Sequence, residues 1–233
     1  IVESTYGNRT HDPADPLDKL GDVINRTIQR GGKVIIPTFA VGRAQSLLYL
    51  IHQLKKNNVI PSDLPVYLNS PMAEEATAIF DNHPGEYRLT TEQTEAMCRT
   101  AHIVADVEES KKLNLRKDPM IILAGSGMAT GGRVVHHLKA SVPDARNTIL
   151  FSGFQAGGTR GAAMLDGARE IKIHGEYIPV RAEIAIIDNL SAHADANEII
   201  TWLRHFQAPP KQTFITHGEP AAADALRLRI EEQ

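Results

Sequence analysis

The chain has 233 residues, 25 Lys plus Arg against 28 Asp plus Glu, with 42% hydrophobic and 23% charged residues, a balance too apolar for a disordered protein and sufficient for one large or two modest cores. Its net charge of −3 gives no general attraction to nucleic acid or membrane, so any polyanion has to be held by a local basic site. A single cysteine, Cys98, excludes an internal disulfide and a cysteine-based zinc site, and no apolar run approaches the roughly 18 residues that span a bilayer, so a soluble, cytoplasmic protein without a membrane partner is expected.

Ile1-Val2 runs into Glu3-Ser4-Thr5-Tyr6-Gly7, which reads as a strand ending in a loop, as though the chain starts inside a fold; with no Met at its start, a fragment is expected. After a polar loop at 8–12, Asp15 can cap a helix with Pro16 in its first turn and Leu17, Leu20, Val23, Ile24 and Ile28 at helical spacing. The pattern then predicts a strand at 33–36, a helix at 44–56, a strand at 65–68 and a helix opened by Pro71 that carries Met72, Ile79 and Phe80. Between 81 and 117 the sequence is polar and charge-rich, and yields only a helix at 91–99 and a strand at 102–105. Alternation resumes with a strand at 120–124, a helix at 133–140, a strand at 148–151 and a helix at 159–165. Short apolar strands joined by helices argue for a parallel, doubly wound α/β layer. From Ile171 the texture changes to closely spaced strands at 171–174, 177–180 and 183–187, followed by a helix at 196–206, a strand at 213–216 and a last helix from Pro220.

Three turns share one design. The stretches 37–43, 125–133 and 153–160 each follow a strand, open a helix, contain glycine and bring an arginine, Arg43, Arg133 or Arg160. Glycines let backbone N–H groups converge at a helix N-terminus, where partial positive charge favours phosphate. Arg43, Ser126, Gly127 and Arg160 are therefore the candidates for phosphate contact, on an anion-binding rim along one sheet edge. The alternative is that glycine only makes tight βα turns. Neither the P-loop nor the dinucleotide-binding spacing is present.

The tail holds two further signals. Ser191-Ala192-His193-Ala194-Asp195 precedes a helix for which Asp195 and Glu198 can form a capping box, holding His193 on a rigid turn. Thr213-Phe214-Ile215-Thr216-His217-Gly218-Glu219 is a strand that ends in an imidazole beside a glycine. A lone His in either place is more often structural than functional. His136 and His137 point to different faces of a helix, one surface and one core, and His52, His102, His174 and His205 carry no ligand spacing.

Taken together with the Glu3-Ser4-Thr5-Tyr6-Gly7 start, the Pro37 to Gln45 stretch and the Ser126-Gly127-Met128 turn, these motifs stand in the order found in β-CASP nucleases of the metallo-β-lactamase superfamily. The chain resembles the prokaryotic RNA-processing members and the endonuclease subunit of eukaryotic pre-mRNA 3′-end cleavage over essentially its whole length. The resemblance implies a doubly wound parallel-sheet β-CASP domain at 9–190, with 1–8 as a strand and 191–233 as the C-terminal part of an αββα metallo-β-lactamase domain. It implies that Glu3 is the acidic residue orienting the catalytic His, that His193 is an imidazole protonating the leaving oxygen, and that His217 is a zinc ligand of the kind found in RNA-acting members. Two zinc ions are expected in the intact protein. The family's main His-x-His-x-Asp-His metal motif precedes the Glu3 motif and is absent from this chain's ten histidines, so most zinc ligands are expected to be missing and the fragment inactive. The expected activity is metal-dependent hydrolysis of RNA phosphodiesters, with single-stranded RNA as partner and a homodimer left open. The rival is a noncatalytic RNA-binding or scaffold subunit of the same fold, against which the retention of Glu3, His193 and His217 argues.

Overall fold

The computed structural model describes residues 1–233, apart from the side chain of Pro84. In chain order the elements are β1 (Val2–Glu3), α1 (Pro16–Gln29), β2 (Val34–Pro37), α2 (Arg43–Lys56), β3 (Val66–Asn69), α3 (Pro71–Asn82), α4 (Thr91–Cys98), β4 (His102–Ile103), α5 (Val107–Leu115), β5 (Ile121–Ala124), α6 (Val134–Ser141), β6 (Thr148–Phe151), α7 (Arg160–Leu165), β7 (Glu170–Ile173), β8 (Glu176–Pro179), β9 (Glu183–Ile186), α8 (Ala196–Leu203), β10 (Ile215–Thr216) and α9 (Pro220–Glu231). They form two compact units, Ala14–Ile187 and the combination of Ile1–Pro13 with Asp188–Gln233. No helix among the described residues is long and apolar enough to cross a membrane.

The larger unit is built on a six-stranded sheet in the order β4-β3-β5-β2-β6-β9, parallel at every pair. Strands β2, β5 and β6 are buried along their whole length, which is why their sequences run apolar without alternation. From β2 to β4 the chain moves toward one edge, then returns through β5 to β6 and β9. Right-handed crossovers therefore put α2–α4 and α5–α7 on opposite faces. The α5–α7 face is covered by Leu113, Val134, Val135, Leu138 and Met164, together with Ile171, Ile173 and Ile178 of an antiparallel β7–β8 hairpin. That hairpin alternates exposed and buried residues in β7, as a one-sided strand must.

Local signals explain most boundaries. The Asp15 carboxylate accepts Leu17 N–H at 2.8 Å to start α1, and Arg30 caps its end just before Gly31 turns into the left-handed region at φ 72°. In α3 two of the three expected apolar residues face outward: Met72 and Ile79 are 65% and 59% exposed and Phe80 is half-buried, while the small Ala73, Ala76 and Thr77 are buried. Gln45 Nε2 donates to Thr77 Oγ1 at 2.9 Å, joining α2 to α3 through a buried polar contact. Helix α5 follows the expected strand at 102–105, where the pattern predicts no further helix before 117. Only Ser110 and Leu113 of it are buried, so it has no apolar stripe to read, and its start rests on Asp106, which accepts Glu109 N–H at 2.9 Å. Strand β4 is shorter than expected, His102–Ile103, and exposed at the sheet edge.

The loops after β2, β3 and β5 border a cavity of about 580 Å³ at the carboxyl end of the sheet, lined by Thr38, Phe39, Ser70, Ser126, Gly127 and Arg133 among others. Beneath it runs a buried polar network. Asn69 Nδ2 donates to Ser110 Oγ at 2.6 Å and to His137 Nε2 at 2.7 Å, and His137 Nδ1–H donates to Asn114 Oδ1 at 2.7 Å. The His137 ring is fully buried, and that burial, with the nearby charges of Lys33, His136 and Arg133, pushes its pKa down to about 4, so it is neutral and its tautomer is set by the two amides.

The smaller unit pairs β1 with β10 in parallel, Val2 opposite Ile215 and Glu3 opposite Thr216. Helices α8 and α9 close over this pair through Val2, Ile199, Ile200 and Leu226. Tyr6, almost fully buried, bridges to Asp195 just before α8.

Candidate functional site

Two adjacent parallel strands of the smaller unit end together, so the residues just beyond them converge. Glu3 ends β1, and the chain turns at once, Gly7 N–H bonding Ser4 O at 3.0 Å. His217 follows β10 in the left-handed region at φ 55°, a conformation that His tolerates better than most residues. The next residue has to be glycine, since a Cβ at Gly218 would fall 2.3 Å from Ser4 Oγ and 2.4 Å from Ser4 O. Ser4 Oγ completes the clasp by donating to Thr216 O at 2.8 Å.

His193 arrives from the turn before α8. Asp195 caps that helix, accepting Asn197 N–H at 2.8 Å and Glu198 N–H at 2.9 Å, while Glu198 Oε2 accepts Asp195 N–H at 2.8 Å. The second Asp195 oxygen accepts His11 N–H at 2.9 Å, and His11 Nε2–H donates to His193 O at 2.9 Å. Burial pushes the Asp195 carboxyl up, but the N–H groups of Glu198, His11 and Asn197 outweigh it and hold the group below the usual carboxylate range. The His193 turn is thus pinned from both sides.

Glu3 Oε1 and His193 Nδ1 lie 3.3 Å apart, and the rings of His193 and His217 stack with centroids 5.4 Å apart. Burial raises the Glu3 pKa, but Thr5 N–H, bonded to Oε2 at 2.7 Å, the Thr5 hydroxyl and His193 together pull it below the ordinary value. Glu3 is an ionised carboxylate facing an imidazole, which can orient that ring. One donor atom each from Glu3, His193 and His217 falls within a 4.8 Å cluster, a nitrogen and oxygen donor set that suits zinc. The structure thus brings Glu3, His193 and His217 together.

Two further residues join this cluster that sequence reading did not single out. Thr5, 3% exposed, lies between the two imidazoles, its Oγ1 3.4 Å from His193 Nδ1 and 3.2 Å from His217 Nδ1. His11 holds the backbone beneath His193. Thr5 sits two residues beyond Glu3, where one turn of chain is enough to bring it back over the site. No spacing rule points to His11, whose partner is 182 residues away.

Arg43, Ser126, Gly127 and Arg160 belong to the larger unit. Their three loops do follow neighbouring parallel strands, β2, β5 and β6, and so share the carboxyl edge of one sheet. The side chains there are engaged with the loops themselves. Arg43 Nη1 donates to Ser152 O, in the loop after β6. Arg160 donates from Nε to Lys172 O at 2.7 Å and from Nη1 to Ala129 O at 3.1 Å and Thr130 O at 3.0 Å. Arg133 donates to Asn69 Oδ1 at 2.6 Å, to Val104 O at 2.7 Å and to Ala105 O. Ser126 Oγ accepts Thr130 N–H at 3.2 Å and Gly131 N–H at 3.3 Å, occupying the nest of its own loop.

Comparison with known proteins adds the family context. The Beta-Casp domain matches residues 44–164, and the Zn-dependent metallo-hydrolase RNA specificity domain matches residues 177–233. The chain is similar to ribonuclease TTHA0252 of Thermus thermophilus, 37% identical over 246 aligned residues that cover 100% of this chain and 55% of that protein. It is also similar to transcription termination factor FttA of Pyrococcus abyssi, 38% identical over 94% of this chain and 36% of that protein. An RNase J-like protein of Methanocaldococcus jannaschii is 33% identical over 94% of this chain and 51% of its own length. The chain therefore spans about half or less of these relatives.

Proposed function

The chain belongs to the Beta-Casp family, and from that premise we propose that it is part of a zinc-dependent ribonuclease whose whole form hydrolyses phosphodiester bonds of single-stranded RNA, in the cytoplasm, during RNA processing or decay. The observation that carries the reading is the 3.3 Å pairing of an ionised Glu3 with His193, beside His217. In this reading Glu3 accepts the His193 Nδ1 proton and favours the imidazolium, and His193 gives its Nε2 proton to the oxygen that leaves as the P–O bond breaks. His217 would hold zinc. When bound, the metal supplies an acidified water and positive charge against the phosphoryl oxygens. Two ions require more donors than this cluster contains, and in the proposal the others come from the rest of the whole protein. Arg43, Ser126, Gly127 and Arg160 are proposed as RNA phosphate contacts. A guanidinium has five N–H donors and can bond backbone carbonyls and a phosphate at the same time.

The test is cleavage of RNA labelled at the 5′ or 3′ end by the whole protein, with and without zinc. Zinc-dependent cleavage is expected, and the pattern of labelled products separates endonuclease from exonuclease action. A zinc-loaded whole protein that binds RNA without cutting it would replace this reading with a noncatalytic, RNA-binding one.

A further inference from the structure

The hydroxyl of Thr5 lies 3.0 Å from His217 O, 3.2 Å from His217 Nδ1 and 3.4 Å from His193 Nδ1, and the Glu3 carboxylate is also within its reach. It carries one proton and two lone pairs. A backbone carbonyl only accepts, so the Thr5 proton goes to His217 O or, alternatively, to the Glu3 carboxylate, which also only accepts. In both cases neither imidazole can receive it. Each Nδ1 that approaches Oγ1 must then bring its own hydrogen. For His193 the Glu3 carboxylate at 3.3 Å makes the same demand. For His217, Thr5 Oγ1 is the hydrogen-bond partner of Nδ1 among the described residues.

We infer that Thr5 is a positioning residue that fixes the tautomer of both rings. Its hydroxyl holds His193 and His217 as Nδ1–H imidazoles, so that Nε2 of His217 is the lone pair offered to a metal and Nε2 of His193 is the atom that exchanges a proton with substrate. The inference rests on the roles proposed above for the two histidines, and it explains why a hydroxyl is buried between them. An apolar residue of the same shape would leave the His217 ring without the acceptor that selects its tautomer.

The test uses Thr5→Val, which keeps the shape and removes the hydroxyl, and Thr5→Ser, which keeps the hydroxyl. Histidine ring ¹⁵N shifts report which nitrogen is protonated at a pH where both rings are neutral. The native chain and Thr5→Ser should show Nδ1–H at His193 and His217, whereas Thr5→Val should shift His217 toward Nε2–H. In the whole protein Thr5→Val should also weaken zinc binding by roughly 10- to 100-fold, the usual cost of losing the partner of a ligating imidazole, with Thr5→Ser restoring it. Nδ1–H retained at His217 in Thr5→Val would overturn the inference, as would Nε2–H in the native chain. Should Thr5→Val fail to fold, a folded Thr5→Ser that has lost the Nδ1–H form would overturn it equally. Because the shifts need neither RNA nor turnover, correct tautomers in a protein that cuts no RNA would sink the ribonuclease reading alone, while cleavage with the wrong tautomers would sink this one.

Discussion

The β1–β10 pair and the β5-β2-β6 strands both end in loops rich in polar residues, and they use those residues in opposite ways. At the ends of β1 and β10 the side chains of Glu3, Thr5, His193 and His217 bond chiefly to one another, which keeps the Glu3 carboxylate ionised and leaves ring nitrogens for chemistry. At the ends of β5, β2 and β6 the arginines bond chiefly to backbone carbonyls of neighbouring segments, and Ser126 accepts N–H groups of its own loop. There the polar atoms hold the backbone in place. A basic, glycine-rich loop in a sequence is thus weaker evidence for an anion site than a carboxylate and two imidazoles brought together are for a metal or proton-transfer site, because loop carbonyls compete for every guanidinium.

The largest expected effect probes the first arrangement. In the whole protein His193→Ala should lower turnover by roughly 100-fold or more, the scale of a lost general acid, with metal content intact. His217→Ala should lower metal content itself, as read by elemental analysis. Equal metal loss in the two variants would make His193 a ligand and remove the division of labour between the rings.

The second arrangement predicts losses of stability. Arg160→Ala removes two bonds to loop carbonyls and one to the Lys172 carbonyl of β7 and should lower the unfolding free energy by about 2–3 kcal/mol, the usual scale for charged hydrogen bonds. Urea denaturation reads this directly, and a change below about 0.5 kcal/mol would mean that the loops hold without it.

The buried network beneath those loops makes the larger unit acid-sensitive. His137 is held down to about 4 in the native state, against about 6.5 for an imidazole in the unfolded chain. The unfolded state therefore binds the extra proton between these values. The stability that His137 contributes is complete above about pH 6.5 and falls with pH toward 4, by at most about 1.4 kcal/mol per unit. Urea midpoints at pH 7 and pH 5 should converge in His137→Gln relative to the native chain. A native midpoint that does not move between those pH values would show that the network yields to protonation at no cost.

Most of the larger unit was legible because β2, β5 and β6 are buried on both faces, and helices α1 and α8 because the Asp15 and Asp195 caps form as the spacing predicts. Helix α5 was not legible, because a helix that buries only Ser110 and Leu113 carries no period. The orientation of α3 was hidden for a related reason, since its small residues rather than Met72 and Ile79 face inward. In the site, Glu3, His193 and His217 could be named from motif order, yet their mutual distances depend on β1 pairing with β10 from the other end of the chain, which no local pattern encodes. Thr5 was overlooked because a hydroxyl acquires a role only through what it lies between. The engagement of Arg43 and Arg160 with carbonyls was equally invisible, for a sequence shows donors without showing how they are used.

The smallest expected effect decides whether Arg43 serves the loops alone. Its Nη1 donates to Ser152 O, so the loop after β2 clasps the loop after β6, and this contact should depend on the shape of the guanidinium more than on its charge. A phosphate contact depends on charge, since each phosphate neutralised adds close to one unit to the salt dependence of binding and somewhat less on a single strand. Arg43→Lys keeps the charge and loses the fork, whereas Arg43→Glu reverses the charge. If Arg43 meets RNA, Arg43→Lys should lose some stability and keep the slope of log affinity against log salt, while Arg43→Glu should flatten that slope by about one unit. Should both variants lose similar stability with the slope unchanged, Arg43 acts only as a staple, and the comparison sharpens: the carboxyl edge of the large sheet is then scaffold, and the phosphates of the RNA are held elsewhere.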